Sequence, residues 1–248
     1  MCKICRYIYL IFFTFPFIPV QGQTTGSDSL RLKSRYDSSL VRGRNQIVPA
    51  MLISGGIIIE SFNVKEKIQG WFPRTHTTID DYLRDVPVGE LYTYDIFSRK
   101  HRNNIFNQTK YLIISRLATG YITQLIKEMT NNTRPNGGSL SFPSGHTSIA
   151  FANATVLYNE TIDYNPFVAY SGYMFATATG ILRITNNRHW VSDVLTGAGI
   201  GMLVTNLVYY IEPFKKIDPF RLGKKARMTP ELDPSSGRFN ISVDFALN

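Results

Sequence analysis

Cysteine is nearly missing from this chain of 248 residues: there are two, Cys2 and Cys5, and both stand ahead of an apolar leader. A chain trimmed behind that leader keeps none, which excludes a disulfide framework and a cysteine metal site. Histidine is scarce as well, with four in all. Acidic residues are outnumbered, 18 against 27 basic, for a formal net charge of +9. There is no internal repeat and no long low-complexity tract, which excludes a repeat array, and the length suits one buried core with short tails.

What is present begins with a leader. Lys3 and Arg6 precede the uncharged, aromatic-rich run Tyr7 to Val20. This run falls short of the roughly 20 residues that a membrane-spanning helix needs. Residues 1–22 therefore read as a secretory signal peptide, with an uncleaved anchor as the alternative. Removing Lys3 and Arg6 lowers the formal charge from +9 to +7. A basic exported protein suits an anionic membrane surface or phosphorylated substrates, and no nucleic acid is expected as a partner. Residues 23–44 are a flexible polar segment rich in Ser, Asp and Arg. Residues 45–213 form the candidate domain and 214–248 a basic tail. In that tail the cluster Lys215 to Arg227 either meets anionic headgroups or is simply solvated, and Ile241, Val243, Phe245 and Leu247 alternate like a short strand.

Helical periodicity dominates the domain. Tyr111, Ile114, Leu117, Ala118, Tyr121, Ile122, Leu125 and Ile126 recur at helical spacing and predict a helix over about 109–129. Further helices are expected over about 47–59, 144–159, 166–183 and 189–211. Pro166 suits a first turn and Pro213 a stop. Short connections between helices of similar length favour antiparallel neighbours. The expected fold is all-α, an antiparallel bundle of about six helices with the active site at one bundle end. The uncharged runs 166–182 and 194–211 lie at the low end of spanning length, about 17 and 18 residues. They read equally as bilayer segments or as buried helices.

In that topology three scattered groups of residues converge. Lys127 falls in the last turn of one helix with Arg134 just beyond it. Ser144, Gly145 and His146 open the next helix at the same end, the third helix returns Arg183 to that end, and His189 and Asp193 open the fourth. Lys127, Arg134 and Arg183 can bind the non-bridging oxygens of a phosphoryl group and offset charge developing in its transfer. The Ser144-Gly145 step offers free amides and a positive dipole end to an anion. His146 beside it is the candidate general acid. His189 and Asp193, four apart, read as a nucleophile and the carboxylate that fixes its tautomer. Trp190 reads as a packing shield, and Gly197 and Gly201 as sites of close helix approach. Asp80 and Asp81 have no third ligand in sequence reach and are expected to be a solvated helix start. His76 and His101 are expected in surface loops.

The segments Lys127 to Pro135, Pro143 to His146 and Arg183 to Asp193 resemble the three signature motifs of the type 2 phosphatidic acid phosphatase and vanadium haloperoxidase superfamily. The resemblance covers roughly Asp80 to Ile211. It implies that His189 attacks phosphorus, that Asp193 orients it and that His146 protonates the leaving oxygen. It also implies that Lys127, Arg134, Ser144, Gly145 and Arg183 bind phosphate, with no metal or cofactor. Leu182 departs from the pattern, standing where family members often carry serine. The implied activity is a metal-independent phosphatase, working through a phosphohistidine on a lipid-linked or other exported phosphate ester. It would be periplasmic or otherwise extracytoplasmic, associated with a membrane. The alternatives are a vanadium-dependent haloperoxidase, with vanadate in the same pocket, and a non-catalytic helical envelope protein.

Overall fold

The computed structural model describes residues 46–62, 64–98, 102–211, 226–232 and 239–245. The expected signal peptide, the polar segment 23–44, His101 and most of the basic tail lie outside the described residues. Eight helices are present among those described. They are α1 (Gln46–Ser61), α2 (Lys65–Gln69), α3 (Ile79–Leu83), α4 (Val86–Phe97), α5 (Ile105–Thr130), α6 (Gly145–Thr161), α7 (Pro166–Thr185) and α8 (Val191–Tyr210). Six of them exceed two turns, and α2 and α3 are single turns. The strand alternation in the tail does form a strand. Phe239–Phe245 (β2) pairs antiparallel with Ala226–Leu232 (β1), with Ala226 opposite Phe245 and Leu232 opposite Phe239.

Local chemistry sets the helix ends. The Asn104 side chain accepts from the Asn107 amide at 2.9 Å and starts α5 four residues before the periodic signal. Asn131, left-handed with φ 44°, closes that helix by donating its amide to the Lys127 carbonyl at 2.9 Å. Asn165 caps α7 ahead of Pro166 in the first turn.

The four long helices alternate in direction, and α6 lies at their centre, packed on α5, α7 and α8. Its burial nearly all round explains why it shows no clear amphipathic stripe. Leu91, Tyr111, Leu112, Val156, Leu157, Val208 and Tyr209 form the main apolar cluster. Towards the other end of α6 the packing runs through Ala150, Ala154 and Ala176, small residues that bring helices close.

Glycine does the same at two points that matter for the site. A Cβ on Gly197 would stand 2.6 Å from the Ser144 carbonyl oxygen, and one on Gly201 would stand 2.2 Å from that of Ser148. The expectation of close helix approach at both positions therefore holds, and its consequence is specific: α8 lies directly against the start of α6. Only with hydrogen in place of a methyl can the two helix ends meet there.

Candidate active site

The alternating directions bring the end of α5, the start of α6, the end of α7 and the start of α8 together. A polar cavity of about 250 Å³ lies between them, bordered by Lys127, Arg134, Gly145, His146, Arg183, Arg188 and His189, and roofed by Thr77, Thr78, Asp80 and Asp81. Seven of the eight residues singled out in the sequence surround or directly support this space, and the eighth, Ser144, sits just behind it.

His189 is not the first residue of the last helix, as its spacing to Asp193 suggested. It lies in the loop ahead of α8, because Asn187 adopts φ 57° and the amides of Arg188 and His189 both turn back to the Arg183 carbonyl, at 3.0 and 3.2 Å. That turn presses His189, 1% exposed, beside Arg183. Asp193 occupies the third position of α8 and reaches back to the loop. Its Oδ2 accepts from the Trp190 amide at 2.9 Å and from His189 Nδ1 at 3.1 Å. One carboxylate thus caps the helix and holds the imidazole. The Ser141 hydroxyl donates to the same oxygen, tying in the loop after α5.

With Nδ1 protonated towards Asp193, Nε2 keeps its lone pair. Burial disfavours the imidazolium more than Asp193 favours it, and the His189 pKa falls to about 4. The ring is therefore neutral across the physiological range, the state a nucleophile requires.

The cations are held by backbone geometry. Lys127 Nζ donates to the carbonyls of Leu140 at 2.6 Å and Ser141 at 3.1 Å. Burial first, and Arg134 second, lower its pKa to about 8. Arg134 is anchored through its backbone, its amide donating to the Gly138 carbonyl at 2.7 Å, and its guanidinium borders the cavity. Trp190 is half-buried, its indole donating to the Thr133 carbonyl at 2.8 Å, and it does not border the cavity.

Ser144 does not face the cavity. Its hydroxyl is fully buried, accepting from the Thr147 hydroxyl at 2.9 Å as the cap of α6, while its amide donates to the Asp193 carbonyl at 2.9 Å. Its part is to aim the first turn. Gly145 and His146, whose amides have no partner within an α-helix, border the cavity in its place.

The reading of Asp80 and Asp81 as a solvated helix start is wrong for Asp80, which is 1% exposed. Its Oδ2 accepts from Arg183 Nη1 at 2.7 Å and its Oδ1 from Asn186 Nδ2 at 3.0 Å. Asn186 also ties its amide group to Thr77, donating to the carbonyl at 2.8 Å and accepting from the amide at 3.1 Å. The segment before α4 is thereby fastened to the end of α7 as a roof over the site. Asp81 also borders the cavity but is half-exposed, with Oδ1 2.8 Å from His146 Nε2 and 3.9 Å from Arg183 Nη1. Burial lowers the His146 pKa, as do Arg183 and Arg84, while Asp81 opposes them. Asp80, Asp81, Asn186 and Arg188 were not legible as site residues. An acidic pair in an otherwise cation-rich chain was the one signal. His76 is exposed, as expected. Among the described residues no group of three His, Cys, Asp or Glu side chains is arranged to hold a metal ion.

Residues 108–217 match the PAP2 superfamily. A lipid A 1-phosphatase of Porphyromonas gingivalis is 37% identical over 183 residues, which are 68% of this chain and 41% of that protein. The chain thus spans about two fifths of the length of that curated relative. Among solved structures, LpxE of Aquifex aeolicus is 22% identical with a TM-score of 0.42, over 55% of this chain and 88% of that one. A transmembrane PAP2 type phosphatidylglycerolphosphate phosphatase of Bacillus subtilis is also 22% identical, with a TM-score of 0.41 over 77% of this chain and 94% of that one.

Proposed function

Residues 108–217 belong to the PAP2 superfamily, and from that premise we propose that this chain is a metal-independent phosphatase acting on a lipid-linked phosphate ester at an extracytoplasmic membrane surface. The observation that carries the reading is His189, held at Nδ1 by Asp193 and bordering a cavity that also presents Lys127, Arg134, Arg183 and His146.

The chemistry follows from these positions. The phosphoryl oxygens meet Lys127, Arg134, Arg183 and the first-turn amides of α6, which offset the charge that spreads over them during transfer. His189 Nε2 attacks phosphorus. As the new P–N bond forms, the P–O bond to the leaving group breaks, and His146 gives its proton to the departing oxygen. Water then attacks the phosphohistidine and His146 takes the proton back. The P–N bond breaks, orthophosphate leaves and the starting protonation states are restored. Three cations supply the positive charge for which other phosphatases use metal ions.

A lipid substrate and a membrane location draw support from the outside of the bundle. Ile113, Leu117, Tyr121, Leu125 and Met129 recur every fourth residue along the exposed face of α5, with Leu117 and Tyr121 more than two thirds exposed. Phe167, Tyr170 and Met174 are exposed on α7. Apolar faces of this length are unusual on a protein surrounded by water. By length and composition, one described helix, α8, is apolar enough to cross a bilayer, although most of it is buried against its neighbours. The name of the curated relative suggests the phosphate of lipid A as the first ester to test.

The test is phosphate release, in the presence of chelator, from lipid A, phosphatidic acid, phosphatidylglycerolphosphate and soluble monoesters. The wild-type protein is expected to release phosphate from at least one lipid, to form an acid-labile phosphoenzyme and to lose both with His189→Ala. Full activity in His189→Ala, or its abolition by chelator, would refute the mechanism.

A further inference from the structure

The cavity holds two histidine–carboxylate pairs. His189 and Asp193 form the first. The second joins His146 at the start of α6 to Asp81 on α3, 65 positions earlier in the chain, with Nε2 and Oδ1 2.8 Å apart. We infer that Asp81 is a positioning residue that makes His146 a competent proton donor. The inference rests on the phosphatase reading given above.

The geometry first fixes the ring. His146 borders the cavity, and one ring nitrogen is tied to a carboxylate that borders the same cavity. In the protonated ring the Nε2 proton is held against Asp81 Oδ1 at the cavity edge, and in the proposed step the leaving oxygen replaces Asp81 as its acceptor. The adjacent residue cannot do this. Asp80 spends both oxygens on Arg183 and Asn186 and is buried, whereas the Asp81 side chain is half-exposed and 3.9 Å from Arg183 Nη1. Of two neighbouring carboxylates on a one-turn helix, one thus holds Arg183 closely and the other meets His146, with Arg183 at longer range.

The charges around His146 give the carboxylate its purpose. Arg183 on α7, Arg84 at the end of α3, Lys127 on α5 and Arg134 and Arg188 in the loops all stand near it or across the cavity. Neutral His189 adds no charge, and Asp80 is already paired with Arg183. Burial, Arg183 and Arg84 each push the imidazole towards its neutral form, and Asp81 is the group that pulls it back. Without that carboxylate burial, Arg183 and Arg84 would lower the His146 pKa further and leave less of the proton it must deliver. Neutralising Asp81 should therefore harm the step in which a poor leaving group departs. A good leaving group, which leaves as a stable anion, should be spared.

The experiment compares Asp81→Asn and Asp81→Glu with the wild type on an alkyl phosphate and on p-nitrophenyl phosphate, across pH. Asp81→Asn is expected to lower kcat/KM roughly 10²-fold for the alkyl ester and only a few-fold for the nitrophenyl ester. The alkaline limb of its pH profile should move to lower pH, and Asp81→Glu should recover most of the loss. NMR titration of the His146 ring should show a lower pKa in Asp81→Asn, a readout independent of turnover. Equal losses on both esters with an unmoved His146 titration would mark Asp81 as structural and overturn the inference, as would unchanged kinetics. A wild-type protein that hydrolyses neither ester nor any lipid phosphate would overturn the phosphatase reading and this inference together. Activity lost in His189→Ala but indifferent to Asp81→Asn would overturn this inference alone.

Discussion

Replacing Gly197 by alanine adds one methyl group at the point where α8 meets α6, and the structure sets the size of the consequence. The new Cβ would stand 2.6 Å from the Ser144 carbonyl oxygen, where ordinary contact begins at 3.4 Å, so the two backbones must part by about 0.8 Å. Nothing flexible can yield, because the neighbour is backbone. Overpacking of this kind costs about 1 to 3 kcal/mol, or roughly 2 to 12 °C in Tm for a domain of this size. The displacement also acts on the site. The Ser144 amide is bonded to the Asp193 carbonyl at 2.9 Å across the same junction. Separating α6 from α8 therefore moves Gly145 and His146 away from His189 and Asp193. A misplacement near 1 Å costs about 10²-fold in rate, so kcat/KM should fall between about 10- and 100-fold. Gly55→Ala on α1 is the control, since a Cβ there meets nothing within 4 Å. It should be neutral or stabilising by up to about 1 kcal/mol. Thermal melts and phosphate-release kinetics on both variants decide the matter. Gly197→Ala with the Tm and kcat/KM of the wild type would show that this close approach does not hold the two halves of the site in register.

Three other outcomes follow from the same geometry. Asp193→Asn keeps the side-chain shape but cannot fix the Nδ1–H tautomer of His189, and kcat should fall roughly 10²- to 10⁴-fold with little change in KM. The His189 pKa, lowered to about 4, implies acid sensitivity. Between the ordinary histidine value of 6.5 and about 4 the unfolded chain takes up a proton that the folded state refuses. Stability should therefore fall as pH drops through that window, by up to about 3 kcal/mol, and equilibrium unfolding of His189→Gln should lack this contribution. Lys127, with its pKa lowered to about 8, should lose its charge as pH rises past that value. Competitive inhibition by inorganic phosphate should weaken there. Lys127→Arg should not restore it, because the ammonium fits between the Leu140 and Ser141 carbonyls; an inhibition constant indifferent to pH from 7 to 9 would refute this.

Much of the site was legible from residue order because its parts depend on local rules. Lys127 falls in a last turn and Ser144 caps a first turn. Arg183 returns on the third long helix, and helices that alternate in direction bring such ends together. The placement of His189 was not legible. Spacing of four fits a helical face as well as it fits a loop residue met by a carboxylate at the third helical position. The left-handed Asn187 that chooses between them leaves no periodic signal. The fold class was equally readable, whereas the β1–β2 pairing depends on a partner strand that no alternation announced.

The sequence by itself determined the helical bundle, the order and direction of its long helices and the inventory of cations, histidines and carboxylate gathered at one end. These follow from periodicity, caps and turn residues, which act over a few positions. The tertiary structure alone decided the roof. Asp80 meets Arg183 across 103 positions and Asp81 meets His146 across 65. The segment that carries both is fastened by Asn186 rather than by any pattern of its own. Burial was likewise decided there. The bundle closes around His189 and Lys127 and removes the water that favours their charged forms, so the imidazole stays neutral well below its ordinary range and the ammonium becomes a stronger acid.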